Sequence, residues 1–179
     1  IAHVMGFVAA EWLERATREK EERTSVMIKS LKLKPGMVIA DIGAGSGRIS
    51  LMMAELAGPD GKVIAVDVQQ KMLDLIAEKI KRFQITNVEL VKGTPKSTKL
   101  KRASIDLAIM VDVYHEFEFP YEMIMSISRA MKVGGRVVFV EYRKEDKTVP
   151  IKLVHKMTQI QVKKEIGLPE FRLKWKKTI

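Results

Sequence analysis

Short apolar runs alternate with amphipathic segments along most of the chain. Five apolar runs of four to seven residues are too short for independent helices and predict buried parallel strands; they cover residues 37–42, 62–68, 88–91, 105–111 and 136–142. Between them, residues 48–56, 70–83 and 120–131 carry apolar positions at helical spacing. This alternation predicts βαβ crossovers and a three-layer α/β fold around a mainly parallel, doubly wound sheet.

Both flanks of this region are predicted to be mainly helical. Apolar positions from Phe7 onward predict an amphipathic helix over residues 7–31. Its densely charged part, from Arg15 to Arg23, is either a solvated face or a joint between two helices. Residues 151–166 predict another helix, and residues 171–179 predict the start of a further strand.

The composition fits one globular domain. The 179 residues are 46% hydrophobic, which suits a single core, and no apolar run approaches the roughly 18 residues of a membrane span. The absence of cysteine excludes disulfides, cysteine-based zinc sites and cysteine nucleophiles. The three histidines show no metal-ligand spacing, so we expect no metal site.

The net charge of +10 is concentrated near the end of the chain. Residues 147–179 hold nine Lys or Arg and two Glu, a net +7, which leaves +3 for the rest. Such a stretch can attract phosphate-rich partners, although a solvated lysine-rich helix explains the same pattern. Few aromatic residues accompany the lysines, so the pattern does not indicate a base-stacking surface for nucleic acid.

A glycine-rich turn, residues 41–47, follows the first predicted strand. Glycine allows a tight turn and a close approach to a ligand, and the helix after it adds unpaired N–H groups and a positive dipole. The pattern is G-x-G-x-G, because Arg48 stands where dinucleotide binders need their last glycine. Asp67, 20 residues after Gly47, ends the second strand, where a carboxylate can accept bonds from both ribose hydroxyls of an adenosine. A tight strand–helix connection and a helix-capping aspartate are the alternatives.

Four blocks of the sequence resemble the class I S-adenosylmethionine-dependent methyltransferases. They are the glycine turn at 41–47, the second strand with its acid at 63–67, the fourth strand and following loop at 105–107 and 111–115, and the glycine turn at 131–137. The resemblance extends from about residue 30 to residue 145. It implies a Rossmann-like fold with a sheet of the seven-stranded type, S-adenosylmethionine as the cofactor, and methyl transfer as the activity. Residues 12–15 and 149–152 also resemble a poorly characterised bacterial subgroup.

The resemblance assigns cofactor-binding roles to particular positions. These positions are Asp41, Gly43, Ala44, Gly45, Gly47, Asp67, Val68, Gly93, Thr94, Asp112 and Val113. The glycine turn would line the methionine end, Asp67 would hold the ribose, and Val68, Gly93 and Thr94 would contact the adenine. Many family members carry an acid where Thr94 stands, which puts the usual contact to the adenine amino group in question. Asp112 and Val113 would flank the cofactor beneath the substrate.

His115 is the first candidate for a catalytic base and Tyr114 is the second. His115 follows the fourth strand, and its ordinary pKa lies near 6.5. The alternatives are that His115 packs or caps the loop and that Tyr114 is a core aromatic or a substrate wall. Glu116 either orients His115 or, as we favour, faces solvent. His155 is expected to be exposed or lightly packed on a lysine-rich helix.

The predicted domain organisation is an N-terminal helical segment, residues 1–30, followed by a methyltransferase domain, residues 31–179. In related enzymes such a segment often forms a lid, so His3 and Trp12 are candidates for covering the site. A packing helix is the alternative.

The expected substrate is a small molecule. The N/D-P-P-Y signature of amino-methylating enzymes is absent after the fourth strand, and the sequence of residues 112–115 looks more like the quinone and small-molecule branch. Three alternatives stay open: an RNA or protein methyltransferase that docks through its basic C-terminal stretch, a nicotinamide-dependent oxidoreductase, and a non-catalytic cofactor-binding protein. Arg48 argues against the oxidoreductase.

The ends of the chain lead to further expectations. The sequence starts at Ile1, so we expect a processed, truncated or partly ordered form, and an export signal is left open. We expect a cytoplasmic location. Class I methyltransferases normally finish with an antiparallel strand pair, and residues 174–179 leave no room for the final strand. We therefore expect the natural protein to continue beyond Ile179. The oligomeric state is left open.

Overall fold

Five parallel strands form the central sheet of the computed structural model, which describes residue 2 and residues 5–179. The strands are β1 (Val38–Ile42), β2 (Lys62–Asp67), β3 (Val88–Lys92), β4 (Ile105–Val111) and β5 (Met131–Val140). Their order is β3-β2-β1-β4-β5, so the direction of winding reverses between β1 and β4. The predicted α/β fold with a parallel sheet is confirmed, with five strands in this sheet among the described residues.

Helices cover both faces of the sheet. They are α1 (Ala10–Leu13), α2 (Arg18–Glu22), α3 (Thr24–Ser30), α4 (Arg48–Ala57), α5 (Gln70–Arg82), α6 (Pro120–Ala130) and α7 (Gln159–Ile166). Alternate residues of each strand point to opposite faces. Ile39 packs with α3 and α4, whereas its neighbour Ala40 belongs to the core under α6 and α7. Both faces are therefore buried, which explains why the strand sequences are apolar without alternation.

The prediction of one helix over residues 7–31 is wrong. The segment forms a 3₁₀ turn at Phe7–Ala9 and the short helices α1, α2 and α3. Arg23 separates α2 from α3 with a left-handed backbone (φ 49°). Arg18 is buried, and its guanidinium donates to Glu22 Oε2 at 2.7 Å and to the Leu13 carbonyl at 2.8 Å. The charged segment is thus a joint in which the Arg18–Glu22 pair faces inward, while Lys20, Glu21 and Arg23 are exposed.

The two predictions near the end of the chain also need correction. Only the second half of residues 151–166 is helical: a 3₁₀ turn at Leu153–His155 leads into β7 (Lys156–Met157), which pairs with β6 (Tyr142–Arg143). The helix α7 starts only after Thr158, whose side chain caps it by accepting from the Gln161 N–H. Residues 171–179 form no strand, because Phe171 ends a 3₁₀ turn and is buried against α6.

The strand β5 begins earlier than predicted. It follows α6 directly at Met131, and its pairing with β4 shifts register between the pairs Ile105–Met131 and Leu107–Arg136. The shift accommodates the glycine turn, where Gly134 has a φ of 80°.

Within the described residues, none of the helices combines the length and the apolar character that crossing a bilayer requires. His3, which the sequence analysis named with the lid, lies outside the described residues.

Candidate functional site

A cavity lies at the carboxyl ends of β1, β2 and β4, where the winding of the sheet reverses. Its free space, including the open mouth, is about 1070 Å³. In open α/β sheets this crevice is the usual ligand site. Eight predicted cofactor-binding residues line it: Gly43, Gly45, Asp67, Val68, Gly93, Thr94, Asp112 and Val113. Asp41, Ala44 and Gly47 do not line it, and no described residue from 147–179 does, so the basic stretch is not part of its wall.

The glycine turn forms the floor of the cavity at the start of α4. Gly43, Gly45 and Gly47 all have positive φ values, of 74°, 54° and 80°. A Cβ on Gly43 would lie 2.5 Å from Val113 Cγ2, and one on Gly47 would lie 2.7 Å from Ile76 Cγ1. Backbone conformation and lack of space both require glycine here, so the turn presents bare backbone to the cavity.

Asp67 connects the end of β2 with the glycine turn. Its Oδ2 accepts from the Gly45 N–H at 2.9 Å, and its Oδ1 accepts from the Gln69 N–H at 2.8 Å. Burial raises the pKa of this carboxyl above its ordinary value, against the effect of these hydrogen bonds. A carboxylate has about four acceptor positions, so both oxygens can still accept from a ligand hydroxyl.

Asp41 lies behind the glycine turn. Its side chain is 2% exposed, and its Oδ2 accepts from the Ser50 hydroxyl at 2.6 Å. Burial raises its pKa to about 6. In this arrangement Asp41 holds the first turn of α4 against β1.

The N-terminal segment closes one side of the cavity. Its lining residues are Met5, Trp12, Leu13, Arg18 and Glu22. Lys79 donates to both Glu14 Oε1 and the Ser46 carbonyl at 2.8 Å, which ties the segment to the glycine turn. Gln69 holds it from the other side, accepting from the Phe7 N–H at 3.1 Å and donating to the Met5 carbonyl at 2.8 Å.

Sequence reasoning missed Arg18 and Glu22 as lining residues. Their spacing of four places them on one side of a helical turn, where opposite charges pair. This spacing indicates that the two side chains pair, but in a densely charged segment it does not indicate that the pair is buried. The sequence signal was therefore too weak to place the two residues in the cavity wall.

A 3₁₀ turn at Tyr114–Glu116 forms the wall after β4. Its three side chains point to three distant parts of the chain. The Tyr114 hydroxyl donates to Glu165 Oε2 on α7 at 2.7 Å, and His115 Nε2 lies 3.1 Å from His155 Nδ1. Glu116 Oε2 accepts from the Met5 N–H at 3.4 Å. The turn therefore joins both ends of the chain to the sheet.

The predicted catalytic residues lie behind this wall. Tyr114 is 3% exposed and packs edge-on against Phe117 and Phe139, which places it in the core. Burial raises its pKa above the ordinary value for tyrosine. The His115 side chain is 3% exposed, and neither residue lines the cavity.

The carboxylates around His115 form its immediate surroundings. Its Nδ1 lies 2.7 Å from Glu141 Oε2 and 3.8 Å from Asp112 Oδ1. Burial by itself lowers the pKa of His115, but the Glu141 hydrogen bond and the nearby carboxylates outweigh it and raise the pKa.

Two expectations about this cluster need correction. Glu116 does not face solvent: it is 8% exposed and lines the cavity, and burial raises its pKa to about 7. His155 belongs to the 3₁₀ turn before β7 rather than to a lysine-rich helix, and it contacts His115 instead of standing free.

A family model described as a methyltransferase domain matches residues 33–177. The chain belongs to this family. The match confirms the resemblance drawn from the four sequence blocks, and it favours a methyltransferase over the nicotinamide-dependent oxidoreductase. The matched range includes the glycine turn, Asp67 and the turn after β4.

Curated relatives of this methyltransferase domain include enzymes named for small-molecule substrates. A demethylmenaquinone methyltransferase of Lactococcus lactis is 29% identical over 106 residues, which are 59% of this chain and 42% of the relative. A probable cobalt-precorrin-6B C(15)-methyltransferase of Sulfurisphaera tokodaii is 26% identical over 127 residues, which are 70% of this chain and 64% of the relative. The chain thus spans roughly half the length of these relatives.

Solved structures show the same architecture as this methyltransferase domain. A SAM-dependent methyltransferase from Aquifex aeolicus superposes with a TM-score of 0.84 at 23% identity, over 91% of this chain and 87% of that one. At this identity the likeness shows the fold.

Proposed function

We propose that this chain binds S-adenosylmethionine in the cavity and transfers its methyl group to a small-molecule acceptor. The observation that carries the proposal is the position of Asp67, whose carboxylate lies beside the glycine-turn backbone at the mouth of the switch-point cavity. Family membership supports the same cofactor.

The proposed cofactor contacts follow from the lining of the cavity. Gly43 and Gly45 would contact the methionine end, and Asp67 would accept from the ribose hydroxyls. Val68, Gly93 and Thr94 would enclose the adenine, and Asp112 and Val113 would flank the sulfonium. Asp41, Ala44 and Gly47 would act indirectly, by holding the turn in shape.

The proposed acceptor is a neutral or cationic small molecule. Among the described residues, Asp112, Glu116 and Glu118 line the cavity, against one lining cation, Arg18, which already pairs with Glu22. An anionic acceptor would be repelled by such a wall. Relatives named for demethylmenaquinone and cobalt-precorrin-6B support a small molecule.

His115 remains the proposed residue for proton transfer, and Tyr114 is proposed to position it. Both ring nitrogens of His115 are hydrogen-bonded to protein, so we propose that it acts through Asp112 or Glu116, which do line the cavity. His115→Gln should then lower kcat more than it raises KM and should shift the pH profile. A merely structural role would leave the shape of that profile unchanged.

The N-terminal segment is proposed as the lid, with residues 31–179 as the catalytic domain. Closure by Trp12 and Leu13 would exclude water from the sulfonium. A cytoplasmic location belongs to the same proposal, and cell fractionation tests it.

Two measurements test the proposed function. Calorimetry should detect S-adenosylhomocysteine binding and no NADH binding. Methyl-labelled cofactor, incubated with a panel of phenols, amines and thiols and with RNA and protein, should label a small molecule. Absence of heat with S-adenosylhomocysteine refutes the cofactor, and labelling of RNA or protein alone refutes the substrate class.

A further inference from the structure

Two imidazole rings from distant parts of the chain meet beside the cavity wall. His115 Nε2 and His155 Nδ1 lie 3.1 Å apart, and a carboxylate oxygen of Glu116 lies within 4.8 Å of a ring nitrogen of each histidine. Two nitrogens facing each other at this distance can share one proton or bind one metal ion. In tetrahedral geometry, two ligands at about 2.05 Å from zinc lie about 3.3 Å apart, close to the observed separation.

Glu141 orients the His115 ring for binding a metal ion. Its Oε2 lies 2.7 Å from His115 Nδ1, so a neutral His115 ring would carry its proton on Nδ1 and direct the Nε2 lone pair toward His155. Metal-bound histidines almost always donate their other N–H to a carboxylate, a carbonyl or a water, which fixes the ring and raises its basicity. Glu141 occupies that position, and its side chain is 7% exposed.

The charge around the histidines also favours a dication. Asp112 and Glu141 lie beside His115, and Glu116 lies beside both histidines, so every charged partner named here is an acid. Asp112 Oδ1 lies 3.8 Å from His115 Nδ1, the nitrogen that faces away from His155, so it adds negative charge near the site without being a ligand.

We propose that His115, His155 and Glu116 bind a divalent transition metal, with Zn²⁺ as the best match. Two imidazoles and one carboxylate, with a fourth position open, form a common catalytic zinc ligand set. Imidazole ligands disfavour Mg²⁺ and Ca²⁺, which prefer oxygen. The sequence analysis predicted no metal site, because a spacing of 40 residues between two histidines is not a recognisable ligand pattern.

The position of Glu116 connects this metal site to the cavity. Its carboxylate lines the cavity wall and lies beside both imidazoles. A metal ion whose open position faces the cavity would polarise an acceptor hydroxyl or thiol and lower its pKa. It would take the place of proton transfer by His115, because both ring nitrogens of His115 would then be occupied. This role rests on the proposed function, whereas metal binding itself does not.

The test uses the full chain after removal of metal with a chelator. Calorimetry with Zn²⁺ should show one bound equivalent, Mg²⁺ should give no heat, and Co²⁺ should produce visible absorption bands of a low-coordinate ion. His155→Ala and Glu116→Gln should each weaken Zn²⁺ binding at least tenfold, and Glu141→Gln should weaken it by about 10- to 100-fold. Leu153→Ala is the matched control, because Leu153 is exposed in the same 3₁₀ turn as His155 and offers no ligand atom.

Two results would overturn the metal site. One is wild-type protein that takes up no Zn²⁺ or Co²⁺; the other is His155→Ala that binds Zn²⁺ as tightly as wild type. Circular dichroism reports folding of each variant, and S-adenosylhomocysteine binding is measured on the same samples. If wild-type protein binds S-adenosylhomocysteine but takes up no metal, only the metal site is refuted. If it takes up metal but does not bind S-adenosylhomocysteine, only the proposed function is refuted.

Discussion

The Oδ2 atom of Asp67 accepts a hydrogen bond from the Gly45 N–H at 2.9 Å. This bond joins residues 22 apart in the sequence, and it connects the glycine turn after β1 with the carboxylate at the end of β2. Because the Gln69 N–H holds the other oxygen, the carboxylate is fixed before any ligand arrives. Such preorganisation reduces the entropy lost on binding.

Replacing Asp67 should weaken cofactor binding strongly. A charge-assisted hydrogen bond contributes about 1.5–3 kcal/mol, so Asp67→Ala should raise the Kd for S-adenosylhomocysteine by about 10- to 100-fold. Titration calorimetry measures the change. Asp74→Ala is the control, since Asp74 is an exposed carboxylate on α5 that pairs only with Gln70. A folded Asp67→Ala protein with the wild-type Kd would contradict the assigned contact.

Gly47 should be more sensitive to a methyl group than Gly36. Both have nearly the same positive φ, 80° and 82°, but a Cβ at Gly47 lies 2.7 Å from Ile76 Cγ1, whereas nothing lies within 4 Å at Gly36. Gly36→Ala should cost about 1–3 kcal/mol of unfolding free energy from backbone strain, and Gly47→Ala should cost more because of the added clash. Urea denaturation compares the two. Equal losses would show that Ile76 moves aside freely.

The stability contribution of Asp41 should depend on pH. Burial raises its folded-state pKa from 3.8 to about 6, so the folded protein prefers the neutral carboxyl. This contribution is fully present below the unfolded-state pKa and is lost as the pH rises through about 6. Asp41→Asn keeps an acceptor for Ser50 without the charge. Relative to wild type, it should gain about 2 kcal/mol between pH 4 and pH 7.

Urea unfolding of both proteins at several pH values in that range, without cofactor, measures this gain. Asp74→Asn should follow wild type throughout. A difference between Asp41→Asn and wild type that stays constant with pH would contradict the raised pKa.

Breaking the inward-facing pair of α2 should cost more than breaking a surface pair. Arg18 and Glu22 have side chains that are 8% and 16% exposed, whereas those of Lys62 and Glu89 are 50% and 52% exposed. Glu22→Gln leaves a buried guanidinium without its charge partner and should cost about 1–3 kcal/mol. Glu89→Gln should cost less than about 1 kcal/mol. Thermal unfolding of the two variants gives the comparison, and similar losses would argue against burial of the α2 joint.

The proposed lid should become protected when the cofactor binds. Tryptic cleavage after Arg15 and Arg23 should slow when S-adenosylhomocysteine is present, because opening of the segment becomes rarer. Cleavage after Lys147, in an exposed loop, serves as an internal reference and should keep its rate. Mass spectrometry of the fragments measures both rates. Unchanged cleavage after Arg15 at saturating ligand would favour a fixed packing segment.

The central sheet could be predicted from the sequence because its strands are apolar over their whole length. Ile39 and Val63 are fully buried, and a run of such residues needs no knowledge of distant contacts to be recognised. The glycine turn was equally accessible, since positive φ angles at Gly43, Gly45 and Gly47 depend on local backbone sterics. These local signals fixed the position of the candidate cofactor site.

The surroundings of His115 could not be predicted in the same way. Its partners are Glu141 and His155, which lie 26 and 40 residues away in the sequence. The prediction of one helix over residues 7–31 was wrong for a related reason. The Arg18 side chain turns inward and donates to a backbone carbonyl, and the spacing of apolar residues does not indicate such a contact. Contacts that depend on tertiary packing override local propensity at both places.

The three neighbours Tyr114, His115 and Glu116 make hydrogen bonds to residues 165, 155 and 5. Their full environment therefore exists only after the polypeptide has been synthesised through α7. A nascent chain that has emerged only as far as β5 would hold the glycine turn and Asp67, but it would lack two of these three anchors. Because two of the three anchors lie beyond residue 150, this corner of the molecule cannot be complete before the segment through α7 has folded.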